Sequence, residues 1–116
     1  MSLSVSNYGK VPVVRVTGRV NDAESPGTKA LSDTLRKVCR ASTGSVIVDI
    51  SAIQFLDSHG LGVLVFYNTV MERAGRRLFF FNSNRNHTSY MNRLFEYTNL
   101  FKIFSVINDL DVVEKQ

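Results

Sequence analysis

The chain of 116 residues has one cysteine, two histidines and no long apolar run. Each scarcity closes off a class of protein. Cys39 alone cannot build an internal disulfide framework, and it fits a reducing compartment. No stretch approaches the roughly 18 apolar residues of a membrane-spanning helix. The start, Met1-Ser2-Leu3-Ser4-Val5, has neither the basic residues nor the apolar stretch of a secretory signal, so the cytoplasm is the expected location. Two histidines and one cysteine, widely spaced, make no metal-ligand set, and no metal or cofactor is expected. Repeats, linkers and low-complexity tracts are also missing, so one domain over residues 1–116 is expected. At this length about two-thirds of the unfolded surface can be buried, and no staple is needed.

The net charge is +4, which raises the question of nucleic acid. The basic residues are scattered, with Arg73, Arg76 and Arg77 the densest group and Arg85 a little further on. No basic stretch is interleaved with aromatics for stacking bases, so no nucleic-acid partner is expected. These charges are read as solvated surface, with an acidic protein partner as their other use.

Residues Val11 to Gly18 are rich in β-branched side chains and end in glycine, which predicts a strand. Leu3, Val5 and Asn7 pair with it across a Gly9-Lys10 turn. Ser25-Pro26 opens a helix, since serine caps free N–H groups and proline suits the first helical position. Ala30, Leu31, Leu35, Val38 and Cys39 give that helix one buried face, and Thr43-Gly44 ends it. Ser45 to Ile50 is a nearly continuous apolar strand, the pattern of a central strand covered on both faces. A second helix is predicted from Ser58 to Arg73, with Leu61, Leu64, Val65, Asn68 and Met71 or Glu72 marking its repeat, and Gly75 stops it. A strand follows over Arg77–Asn82, then a helix from Asn86 to Tyr97 with Met91, Leu94 and Phe95 inward. Ile103–Val106 forms a short strand, and Asn108 caps a final helix. The order β-β-α-β-α-β-α-β-α predicts an α/β fold with a small mixed sheet and about four helices, mainly on one face. Phe79-Phe80-Phe81 places rings on both faces of its strand, read as buried on both sides, so a monomer or weak dimer is expected.

The stretch from Asp49 to Gly62 carries the functional signal. A buried strand delivers the chain to a helix that opens with Asp57-Ser58-His59-Gly60-Leu61-Gly62, the edge where α/β sheets usually build sites. Either Asp57 or Ser58 could accept hydrogen bonds from the first turn. Gly60 and Gly62 cost the helix about 1 kcal/mol each relative to alanine, and they let another surface approach the backbone. On pattern alone, a capping role accounts for Ser58.

The segment Val46-Ile47-Val48-Asp49-Ile50, followed by Phe55-Leu56-Asp57-Ser58-His59-Gly60-Leu61-Gly62, resembles the signature of the STAS domain family. Within that family it is most similar to the bacterial anti-sigma factor antagonists. Val16-Thr17-Gly18, Leu94-Phe95 and Leu100-Phe101-Lys102-Ile103-Phe104 extend the resemblance over nearly the whole chain. The resemblance implies partner switching. The serine at position 58 would be phosphorylated by a serine kinase that is also the anti-sigma factor. The unphosphorylated form would bind that kinase and release a sigma factor, and a metal-dependent serine phosphatase would reset the cycle. The implied contact residues are Asn21, Asp22, Asp57, Ser58, His59, Gly60, Leu61 and Gly62. The chain departs from the family at His59, where a second serine or threonine is common, and at Asn21, where an acidic residue is common and Asp22 is adjacent. Both departures bear on partner choice.

The same residues bear on catalysis and on nucleotide binding. Ser58 and His59 suggest a serine hydrolase, but adjacent helical side chains point about 100° apart and do not face each other. No Gly-x-Ser-x-Gly elbow is present, and His87 belongs to a separate helix. Gly60 and Gly62 lack the Lys-Ser/Thr of a phosphate loop. Catalysis is therefore not expected. The standing alternative is a non-switching scaffold, or an accessory subunit of a signalling complex or transporter, in which Ser58 is a cap and a contact.

Overall fold

A computed structural model describes residues 1–21, 27–86 and 88–114. The elements are β1 (Ser2–Tyr8), β2 (Val11–Val20), α1 (Thr28–Ala41), β3 (Val46–Leu56), α2 (Ser58–Arg73), β4 (Leu78–Phe81), α3 (Tyr90–Thr98), a 3-10 turn (Leu100–Lys102), β5 (Ser105–Ile107) and α4 (Asp111–Glu114). The strands form one sheet in the order β1-β2-β3-β4-β5. β1 runs antiparallel to β2, as a hairpin must, and every other neighbour is parallel. The predicted class and element order hold.

The alternation of each strand sorts its side chains into two clusters. Val14, Val16, Val46, Val48, Ile50, Leu78 and Phe80 pack with Leu31, Leu35, Leu64, Met71, Met91 and Phe95, which places α1, α2 and α3 on one face. Ile47, Phe79, Ile107 and Val113 form the smaller cluster on the other face, with Tyr8, Val13, Phe81 and Leu110 around it. Phe79 and Phe80 are thus buried on opposite faces, and Phe81 is half-buried: Phe80 stacks on Phe104 at 4.2 Å in the main core, while Phe79 faces α4.

Several boundaries differ from the sequence expectation, for identifiable reasons. β3 continues six residues past Ile50 to Leu56, because β2 follows it by shifting register at two places. One of these shifts adjoins Gly18, whose φ of +84° favours glycine. Asp49 makes a local turn contact, its Oδ1 accepting from the Ser51 N–H at 3.0 Å. The predicted opening of the first helix at Ser25-Pro26 lies outside the described residues; α1 is described from Thr28, after Gly27. α3 starts at Tyr90 rather than Asn86. Alternate asparagines turn the chain there instead: Asn82, Asn84 and Asn86 each accept at Oδ1 from the N–H two residues on, at 3.1, 3.0 and 2.9 Å. Such side chains offer the backbone partners that compete with a helix. Ser89 then caps α3. At α4 it is Asp109, not Asn108, that accepts from the helix's first N–H.

Arg76 is not free surface charge. Its guanidinium donates to the Cys39 carbonyl at 2.8 Å, the Ser42 hydroxyl at 2.9 Å and the Gly44 carbonyl at 3.0 Å. These contacts close the C-terminal end of α1.

Candidate docking site at the start of α2

β3 runs straight into α2, and β2 fixes the junction: the Asp57 N–H donates to the Val20 carbonyl at 3.1 Å. Asn21, the next residue of β2's exit, is thereby held beside the helix start. Asp22 lies outside the described residues. On the other flank, the Tyr90 hydroxyl donates to the Leu56 carbonyl at 2.9 Å. Phe55 lies between Tyr90, at 5.8 Å between rings, and the Arg19 guanidinium, 4.8 Å from the ring centroid.

The sequence left open whether Asp57 or Ser58 caps the helix. Asp57 does: its Oδ1 accepts from the Gly60 N–H at 2.7 Å, and its carbonyl accepts from Leu61. Ser58 is the first helical residue, exposed, and its hydroxyl makes no hydrogen bond with the described residues. His59 is exposed, and its Nδ1 lies 3.2 Å from the hydroxyl of Thr28, the buried first residue of α1. The imidazole thus tethers the first turns of two helices rather than facing Ser58. His87 lies outside the described residues.

The two glycines have different tasks. Gly60 is buried, and a Cβ there would sit 2.8 Å from Leu56 Cδ1 and 3.0 Å from Val20 Cγ1. The close approach that Gly60 permits is therefore to the chain's own strand ends, which corrects its reading as an opening for another surface. A Cβ on Gly62 would meet nothing within 4 Å. Gly62 lies instead on the outward side of α2, in a shallow groove with Ser58, Leu61, Val65, Phe66 and Val70. Phe66 is 59% exposed and Val70 40%.

Sequence reasoning missed this outward strip. The repeat marked one side of α2 only, although Val63, Phe66 and Val70, added to Leu61 and Val65, make the helix apolar around most of its circumference. A helix apolar on all sides is expected to be covered on all sides. Among the described residues no group of His, Cys, Asp and Glu could hold a metal ion, and no helix is long and apolar enough to cross a membrane. Burial raises the pKa of the Cys39 thiol, with Arg76 pulling partly the other way, so this cysteine behaves as a small apolar residue.

The family described as "Mlab, STAS domain" matches residues 3–107. The chain belongs to the STAS domain family. No curated protein matches the sequence. Among solved structures, this STAS domain is similar to an anti-sigma factor antagonist from Mycobacterium paratuberculosis, with 24% identity, a TM-score of 0.76, and 98% of this chain and 91% of that one covered. It is also similar to the Bacillus cell fate determinant SpoIIAA in its phosphorylated form, with 13% identity, a TM-score of 0.67 and 98% of both chains covered. A third similar structure is the murine anion transporter Slc26a9, with 16% identity and a TM-score of 0.61, where the match covers 87% of this chain and 16% of that one. These likenesses fix the fold of the STAS domain, with Ser58 at the junction of its central strand and second helix.

Proposed function

We propose that this STAS domain is a non-catalytic cytoplasmic switch. It docks a protein partner on the outward face of α2, and phosphorylation of Ser58 breaks the contact. The observation that carries the reading is the position of Ser58. Ser58 is exposed, its hydroxyl makes no hydrogen bond among the described residues, Asp57 relieves it of capping, and it stands at one end of an exposed apolar strip. The partner is an anti-sigma factor that is also a serine kinase; when the domain occupies it, the sigma factor is released. A metal-dependent serine phosphatase acts on the phosphorylated form. Contact residues are Asn21, Asp22, Asp57, Ser58, His59, Leu61 and Gly62, with Gly60 setting the helix in place.

The physical case is asymmetric tolerance. A phosphate adds about −1.5 to −2 charges at neutral pH. The N-terminus of α2 favours an anion through its dipole and free N–H groups, so the domain itself bears the group. A partner packed on Ser58 and Leu61 would have to bury that dianion beside the Asp57 carboxylate, at a cost of several kcal/mol unless cations meet it.

The test is titration of the unphosphorylated protein, the phosphoprotein, Ser58→Ala and Ser58→Asp into an anti-sigma factor of the serine-kinase type from the same organism, with circular dichroism as the check on fold. Unmodified and Ser58→Ala protein should bind, while the phosphoprotein binds about a hundredfold or more weaker with an unchanged spectrum. Equal binding by the phosphoprotein sinks the switch. A second reading, a non-switching accessory subunit, draws on the fold shared with Slc26a9 and on His59 at a position where antagonists commonly carry serine or threonine. It predicts that no kinase modifies Ser58 and that the partner is a transport protein.

A further inference from the structure

The outward strip of α2 does not end at the Ser58 turn. Eight and twelve residues on, about 12 and 18 Å along the helix axis, Phe66 and Val70 also line a second groove, between α1 and α2. That groove is lined by Arg36, Cys39, Arg40, Phe66, Val70 and Arg76. Its floor is built and held. Phe66 stands edge-on to Tyr67 at 5.1 Å and 87°, and the Tyr67 hydroxyl lies 3.4 Å from Ser32 of α1. Its rim is basic. Residues 28–41 and 58–77 hold seven of the chain's 14 Lys and Arg but only two of its ten Asp and Glu. Of those two acids, Asp33 pairs with Arg36 at 3.2 Å, and Glu72 accepts from Asn68, a residue buried on the inward side of α2. The rest of the chain carries one more acid than base, so these two segments account for the whole positive excess, with Arg77 alone among the seven placed over Phe79 on the other face of the sheet.

We infer that the α1–α2 groove receives an amphipathic helix of a protein partner, with apolar residues seated on Phe66 and Val70 and acidic residues on both flanks facing Arg36, Arg40 and Arg73. The spacing argues for a helix. Phe66 and Val70 are four residues apart, so they offer anchors one helical turn apart, in a trough between two rods. The rim charge argues for acidic flanks. The apolar floor is unsuited to a nucleic-acid backbone, and the concave shape is unsuited to a planar lipid surface. The site extends the docking face proposed above, and it stands whether or not Ser58 is modified.

The experiment is an NMR titration of the full chain with a designed peptide of about 16 residues, roughly four helical turns. The peptide carries leucines on one stripe and glutamates on both sides. The comparisons are a twin with lysine for every glutamate, a short DNA duplex and anionic phospholipid vesicles. The glutamate peptide should saturate with shifts centred on Arg36, Arg40, Phe66 and Val70, and weaken several-fold between about 0.05 and 0.5 M salt. Phe66→Ser and Val70→Ser, both at exposed positions, should each weaken it about tenfold. Arg40→Glu should weaken the glutamate peptide and strengthen the lysine twin. The titration contains no kinase and uses unmodified protein, so its outcome is independent of whether Ser58 is phosphorylated. The proposal is overturned if both peptides bind alike, if shifts fall elsewhere, if no binding occurs up to about 1 mM, or if DNA or vesicles take these residues in preference.

Discussion

Gly60 and Gly62 lie two residues apart in one helix, yet alanine at the two positions should move stability in opposite directions. At Gly62 the added methyl meets open space, so only backbone propensity acts, and alanine should stabilise by up to about 1 kcal/mol. At Gly60 the methyl would lie 2.8 Å from a Leu56 methyl and 3.0 Å from a Val20 methyl. Neither neighbour yields easily. Val20 is fully buried with a stiff β-branched side chain, and Leu56 is 5% exposed. Overpacking of this kind costs about 1–3 kcal/mol. The propensity gain at Gly60 is smaller than at Gly62, because Gly60 sits in the first turn. The gap between the two variants should therefore be at least the packing cost, about 1–3 kcal/mol, or about 4–12 °C in melting temperature for a chain of this length. Urea unfolding with a common m value measures it directly. If Gly60→Ala proves as stable as Gly62→Ala, then α2 is not wedged against the ends of β2 and β3. The reason given for a glycine at position 60 then fails.

Two further stability effects follow from named contacts. Arg76→Ala removes three hydrogen bonds that close α1 and the turn after it, and should cost about 1–3 kcal/mol, with hydrogen exchange fastest in the last turn of α1. The folded chain holds the Cys39 thiol proton to higher pH than the unfolded chain, because burial disfavours the thiolate. That contribution is complete below the ordinary thiol value of 9.0 and declines as pH rises through it, since the unfolded state ionises first. Unfolding free energy measured from pH 7 to 10 should fall more steeply for the wild type than for Cys39→Ala.

The order of elements was legible because each element announces itself locally. Phe79-Phe80-Phe81 and Val46-Ile47-Val48 are apolar without alternation, which is what strands buried on both faces require. The candidate site was marked out in the sequence for a different reason, the run Asp57-Ser58-His59-Gly60-Leu61-Gly62 at a strand-to-helix junction. What stayed hidden depends on contacts distant in sequence. The extension of β3 through Ser51, Ala52 and Gln54 follows from pairing with β2 across two register shifts, and nothing in β3 alone signals it. Arg76 looks like any charge in a basic run until the end of α1 arrives beside it. Gly60 and Gly62 look alike in sequence, and only the neighbouring side chains separate the packed one from the open one. Periodicity located the buried side of α2, but it does not report that the opposite side is apolar too.

That opposite side is the strongest sign that α2 works at an interface. The fold does not demand it. α1 packs on the same sheet face beside α2 and turns Lys29, Arg36, Lys37 and Arg40 to solvent. A polar outer surface is therefore compatible with a helix in this layer. α2 instead presents Phe66 and Val70 outward, and an exposed aromatic and aliphatic strip raises the risk of nonspecific association. A partner that covers the strip removes that risk while it is bound. A phosphate on Ser58 would address the remaining problem, release, from the end of the helix where the domain tolerates an anion and a packed partner does not. On the proposed function, capping by Asp57, packing by Gly60 and the strip beyond Gly62 divide three tasks along one helix: holding its start, seating it on the sheet, and meeting the partner.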